Sequence, residues 1–209
     1  VDVIEVQGRV VLDDIGADAI KTGMLGDVAT VEAVARLVDR ARGAPAVIDP
    51  VMIAKGGAAL LPAEAVAAMT SILVPRAALL TPNAPEAAAL TGLATETTDD
   101  LRRAGHALLR MGAKAVLMKG GHVPGDRVID VLMTPSGEAT FEGPRIETRH
   151  THGTGCTLAS ACATGLAQGL PLEEAVGRAW RYVHEAILRA PGFGAGHGPL
   201  DHAWPVRKG

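Results

Sequence analysis

Apolar residues in this chain fall into short unbroken runs and longer spaced repeats, and the two kinds of stretch take turns. Ala17–Leu25 reads as a short strand entering a Gly-containing loop, and Thr30 to Arg42 carries Val31, Val34, Ala35, Leu37 and Val38 at a helical period. Ala44–Pro50 is a buried strand that ends on Asp49, with Pro50 stopping the ladder. Leu61-Pro62 opens a helix through about Leu73, since proline suits a first helical turn. Ala77–Leu80 is the next buried strand, Pro85–Leu90 a short helix closed by Gly92, and Asp99–Met111 an amphipathic helix closed by Gly112. Ala115–Met118 runs into Lys119-Gly120-Gly121-His122. Val128–Met133, Ala139–Glu142 and Ile146–Arg149 read as short strands, antiparallel where only turns separate them. Helices over Gly155–Ala167 and Leu172–Arg189 follow, the second begun by Pro171. Residues 1–14 carry no clear start signal, and the Gly/Pro-rich stretch 191–209 reads as a cover or a terminal strap.

Strands joined by helices predict an α/β fold, a mostly parallel central sheet with helices on both faces, here in one domain spanning 1–209. Composition agrees. Hydrophobic residues make up 48% of the 209 but aromatics only 2%, so the core must be close-packed Ala, Val, Leu and Ile, and 25 glycines suit short turns. A net charge of −3 gives no reason to expect a nucleic acid, and any anion site must come from local geometry. No apolar run approaches the ~20 residues of a membrane helix. Cys156 and Cys162, the only cysteines, lie six apart on one helix, roughly 9 Å along its axis, too far for a mutual disulfide. That usage fits a reducing cytoplasm.

Ligands of open parallel sheets sit beyond the C-terminal ends of the strands. The polar residues just after the strands are Lys21, Thr22, Asp49, Asn83, Glu86 and Lys119. Two lysines, two carboxylates and an amide are the parts that phosphoryl transfer requires, because its catalysis is mostly positioning and neutralisation of oxyanion charge. Each has a plainer reading as well: Asp49 as a turn cap, Glu86 as a first-turn acid, Lys119 as a solvated strand end. Thr151-His152-Gly153-Thr154-Gly155-Cys156 runs straight into an Ala-rich helix, whose first amides and dipole favour an anion. Cys156 in that positive corner is a candidate base, or a small apolar filler. Asp49 and Glu86 are candidate Mg²⁺ ligands, since Mg²⁺ takes one or two carboxylates plus water and phosphate. His150 and His152 lack a third ligand at zinc spacing and are expected to orient the loop. Cys162, Met111 and Met118 are expected in the core. Met24, in the loop after the first strand, is placed to touch a ligand. No G-x-G-x-x-G follows the first strand, against a dinucleotide-binding dehydrogenase.

Five stretches together resemble the ribokinase-like family, and within it the hydroxymethylpyrimidine and hydroxymethylpyrimidine-phosphate kinases of thiamine biosynthesis. They are Lys21–Gly26, Ile48–Met52, Leu80–Ala87, Val116–His122 and Thr151–Thr157, in the family's order along nearly the whole chain. Sugar kinases of that superfamily end the Gly-Thr-Gly motif on aspartate; Cys156 here is similar to the pyrimidine kinases and a related group of pyridoxal kinases. The resemblance implies ATP and Mg²⁺ as cofactors. It implies that Gly153, Thr154 and Gly155 form an anion hole for the transferred γ-phosphoryl and that Cys156 accepts the substrate's hydroxyl proton. Asn83 and Glu86 would position Mg²⁺ and phosphate, Asp49 and Lys119 would line the phosphate channel, and Met24 would line the pyrimidine pocket. The substrates would be 4-amino-5-hydroxymethyl-2-methylpyrimidine and its monophosphate, with a homodimer as the assembly to test. Alternatives are a pyridoxal kinase of the cysteine-bearing group and a truncated, non-catalytic ligand-binding chain. Family members begin with a strand, a Gly-rich loop, a helix and a second strand, and Val1 falls inside that pattern, so part of the acceptor pocket is expected to lie outside this sequence.

Overall fold

The structure is a computed structural model that describes residues 1–41, 43–52 and 60–207. Arg42, the expected end of one helix, and residues 208–209 of the tail lie outside the described residues. Strands β1 (Ile20–Thr22), β2 (Ala46–Ile48), β3 (Leu79–Leu80) and β4 (Val116–Met118) lie side by side in chain order, all parallel. Strands β5 (Arg127–Thr134) and β6 (Gly137–Pro144) continue the sheet as an antiparallel hairpin. Successive side chains of a strand point to opposite faces, and the core divides accordingly. Ile48, Leu80, Val116, Met118, Val131 and Met133 face α2 (Val28–Arg40), α3 (Ala63–Ala68), α4 (Ala84–Thr91) and α5 (Thr98–Arg110). Val47, Leu79, Leu117 and Leu132 face α6 (Thr154–Ala167) and α7 (Leu172–Leu188). The expected three-layer arrangement is therefore present.

Three local expectations are corrected. Residues 1–14 hold a helix, α1 (Asp2–Asp14), with no side-chain cap and no buried residue. It lacks a start signal because nothing caps it, and a strong apolar stripe because it lies on α2 through the ion pairs Glu5–Arg36 and Asp13–Arg40. The helix opened by Pro62 is not regular to Leu73: α3 passes into a π turn at Met69–Leu73 and a 3₁₀ turn at Val74–Arg76. Ile146–Arg149 is no strand. The backbone there is held from its flanks, where the Arg145 guanidinium donates to the carbonyls of Gly121, Val123 and Gly125 at 2.6–2.9 Å, and Arg149 donates to the carbonyl of Ala195 at 3.2 Å. Among the described residues, no helix is long and apolar enough to cross a membrane.

Candidate active site

Strand ladders run slightly past the regular strands, and that extension builds the site. Asp49 N–H donates to the Thr22 carbonyl at 3.3 Å, Thr81 N–H to Ile48 at 3.0 Å, and Lys119 N–H to Pro82 at 2.9 Å. An isolated parallel bridge joins Asn83 to Lys119. The C-terminal ends of β1 to β4 are thereby aligned, and their side chains meet.

Asp49 stands at the centre, 1% exposed. Its Oδ1 accepts from the Thr81 hydroxyl and from Lys119 Nζ, both at 3.0 Å. Lys21 Nζ lies 3.7 Å from Oδ2, which is buried and without a hydrogen-bond partner. Glu86 reaches the same ammonium, with Oε2 3.6 Å from Lys119 Nζ. A capping box fixes Glu86: its carboxylate accepts from Asn83 N–H at 2.7 Å while Glu86 N–H donates to Asn83 Oδ1 at 2.9 Å. Burial pushes the Glu86 carboxyl above its ordinary pKa, against the pull of Lys119. For Lys119, burial acts downward but Asp49 and then Glu86 outweigh it, so its pKa is raised and the ammonium stays charged.

Helix α6 brings its N-terminus to this cluster. Gly153 precedes it in the left-handed region at φ 81°, a conformation that costs glycine little, and no side chain caps the helix. A Cβ added at Gly155 would sit 3.2 Å from Lys119 Nζ, so the ammonium borders the first turn. Cys156, exposed, is in the same turn, and Cys162 is buried further along the helix; both thiols are free. First-turn amides uncapped by a side chain, next to a charged lysine, can hold and neutralise a phosphate.

The structure thus brings Lys21, Asp49, Asn83, Glu86, Lys119 and Gly155 together, with Cys156 alongside. Met24 stands apart as an exposed side chain beyond β1. His150 and His152 do lie on the loop. His152 N–H donates to the Gly198 carbonyl at 3.2 Å, and residues 192–199 lie across the loop as a strap. His106 and His184, for which sequence offers no partner, face Glu138 at 3.3 Å and stack on Trp180. Sequence reasoning missed Asp130. It is fully buried on β5, accepts from Gly120 N–H at 2.8 Å, and burial pushes its carboxyl up to about 6 despite that bond and the charge of Lys119. The signal was available: one acid interrupts the run Val128-Ile129-Asp130-Val131-Leu132-Met133. Burial likewise pushes the Cys162 thiol to about 12, which leaves it inert.

A mostly parallel sheet that delivers a lysine and two carboxylates to a glycine-started helix defines a kinase of the ribokinase-like fold. Comparison with known proteins narrows this. The chain belongs to the phosphomethylpyrimidine kinase family, whose profile matches residues 1–201, and is a phosphotransferase. It is 48% identical over 206 residues to a hydroxymethylpyrimidine/phosphomethylpyrimidine kinase of Streptomyces coelicolor, covering 99% of this chain and 76% of that one. It is 47% identical over 192 residues to the thiamine biosynthesis bifunctional protein ThiED of Geobacter sulfurreducens, covering 92% of this chain and 39% of that one. Among solved structures, the ADP complex of Bacillus subtilis pyridoxal kinase superposes with a TM-score of 0.92 at 33% identity, over 99% of this chain and 78% of that one.

Proposed function

We propose that this chain transfers the γ-phosphoryl group of ATP to 4-amino-5-hydroxymethyl-2-methylpyrimidine and then to its monophosphate, in thiamine biosynthesis. The observation that carries the reading is the placement of Lys119, held by Asp49 and Glu86, against the first turn of α6. The acceptor oxygen attacks the γ-phosphorus in line, the bond to the β,γ-bridging oxygen breaks, and ADP leaves with that electron pair. Cys156 Sγ takes the proton of the hydroxyl. The first-turn amides of Thr154, Gly155 and Cys156, together with Lys119, hold the charge that migrates across the phosphoryl oxygens. The donor set fits Mg²⁺: Glu86 and Asp49 are two buried carboxylates drawn to one ammonium, and Mg²⁺ takes one or two carboxylates with water and phosphate. Asp49 and Glu86 would hold the ion, which when bound supplies neutralisation of phosphate charge. Met24 is assigned to the acceptor side.

The test is ADP formation by the chain with ATP, Mg²⁺ and hydroxymethylpyrimidine, followed by the monophosphate, with pyridoxal assayed in parallel. Turnover on both pyrimidines above that on pyridoxal supports the proposal. The close superposition on a pyridoxal kinase favours pyridoxal as the second reading, and faster turnover on it would establish that acceptor instead. Thermal stabilisation by nucleotide without ADP formation on any acceptor would mark a binding chain without catalysis.

A further inference from the structure

Two ammonium groups flank Asp49, but only one of them hydrogen-bonds it. Lys119 Nζ occupies Oδ1 at 3.0 Å, while Oδ2 is buried, unbonded, and 3.7 Å from Lys21 Nζ. Lys119 also borders the start of α6, where an added Cβ at Gly155 would come within 3.2 Å. An anion docked at that helix start therefore competes with Asp49 for the same ammonium. A carboxylate as buried as Asp49 is strongly disfavoured once its counter-ion leaves. Either Lys119 stays on Asp49 and serves the phosphate poorly, or a second cation, Lys21 or a bound Mg²⁺, takes its place.

Lys21 is built into position for that role. The β1–β2 register pairs Lys21 with Val47 and Thr22 with Ile48, so Lys21 lies beside the end of β2, from which Asp49 projects. Gly23 leaves room for the ammonium, since a Cβ there would sit 3.3 Å from Nζ. A shallow cavity of about 300 Å³, lined by Asp18, Ala19, Lys21, Ser160, Ala163 and Thr164 among others, borders the lysine. We propose that Lys21 is a positioning residue for phosphoryl transfer: it closes the gap to Asp49 Oδ2, replaces Lys119 as the partner of Asp49, and so releases Lys119 to the phosphates. Lys21 touches no phosphate and acts only through Asp49. The inference rests on the function proposed above.

Calorimetric titration of ADP in the presence of Mg²⁺ tests it on five forms of the chain: wild type, K21M, K21R, D49N and K21M/D49N. K21M should weaken ADP binding about tenfold, while K21R should restore it to within about threefold. In the D49N background, where position 49 carries no charge, adding K21M should cost less than about twofold, which is the signature of a coupled pair. Equal losses in both backgrounds would make Lys21 a direct phosphate contact and overturn the inference. Unchanged binding by K21M would also overturn it, leaving Asp49 to a bound cation instead. Wild-type chain that binds no ADP would remove the proposed function and this inference together; intact wild-type binding that ignores Lys21 removes the inference alone. K21R guards against a K21M chain that fails to fold.

Discussion

Asp130 shows how a single side chain can work against the fold that contains it. Burial raises its carboxyl from 3.8 to about 6, so the folded chain binds a proton more tightly there than the unfolded chain does. Between those values the folded state carries more protons, and stability therefore falls as pH rises through the window. At about 1.36 kcal/mol per unit, ionisation costs up to roughly 3 kcal/mol above pH 6. Asp130→Asn keeps an acceptor for Gly120 N–H and removes the charge. In urea melts, the stability of D130N relative to wild type should rise by that order between pH 4 and pH 8; a difference independent of pH would mean that Asp130 does not titrate in this range. Cys156 is a different case, exposed in the first turn of α6. The monophosphate is already ionised and needs little base, so Cys156→Ala should lower kcat for the first phosphorylation more than for the second. Equal losses in the two kcat values would remove Cys156 as the base. Lys119, Asp49 and Glu86 were legible in the sequence because each follows a strand or opens a helix. Asp130 left only a weaker signal, one acid inside an apolar strand, because it lies mid-strand rather than at a strand end and its burial against Gly120 is a tertiary fact.

At the level of elements, two helices begin with the same device and use it differently. Both α4 and α5 start on capping boxes, Asn83 with Glu86 and Thr97 with Asp100. In α5 the box serves the helix alone. In α4 the Glu86 carboxylate is shared between the Asn83 amide and the Lys119 ammonium, so the cap also orients a site residue. Removing either cap should cost about 1 kcal/mol of stability. Asn83→Ala should in addition raise the KM for ATP, whereas Thr97→Ala should leave steady-state kinetics unchanged. Identical kinetic profiles for the two variants would dissociate the cap from the site. Helices and central strands were readable from periodicity, since both faces of the sheet are covered and the strands are nearly all apolar. The failures are equally physical. Helix α1 has no buried face to imprint a period, and the alternation of Ile146–Arg149 arises from a connection held by arginine side chains.

Across the whole molecule, attachment is uneven. Helix α1 fully buries no residue and leaves Val3, Val6 and Val10 exposed, held to α2 by surface ion pairs and by the close approach of Gly8 to Leu37. Such pairs weaken as the Debye length shrinks from about 10 Å at 0.1 M salt to about 3 Å at 1 M. Amide hydrogen exchange in α1 should quicken on raising salt, while that of α6, packed through Leu158, Ala159 and Cys162, should not. Parallel acceleration of the two helices would place them in one cooperative unit. The strap at 192–199 is uneven in another sense. Its attachment to the loop rests on a few backbone bonds and on Gly198, whose missing side chain leaves room for the ring of His150. Because chain connectivity keeps the two partners at an effective concentration on the order of millimolar, bonds too weak to hold free pieces together suffice here. A single backbone nick between 192 and 197 would remove half of that advantage, leaving the strap tethered only from its far side, where Leu200 is buried and Asp201 N–H donates to the Ala186 carbonyl at 3.0 Å.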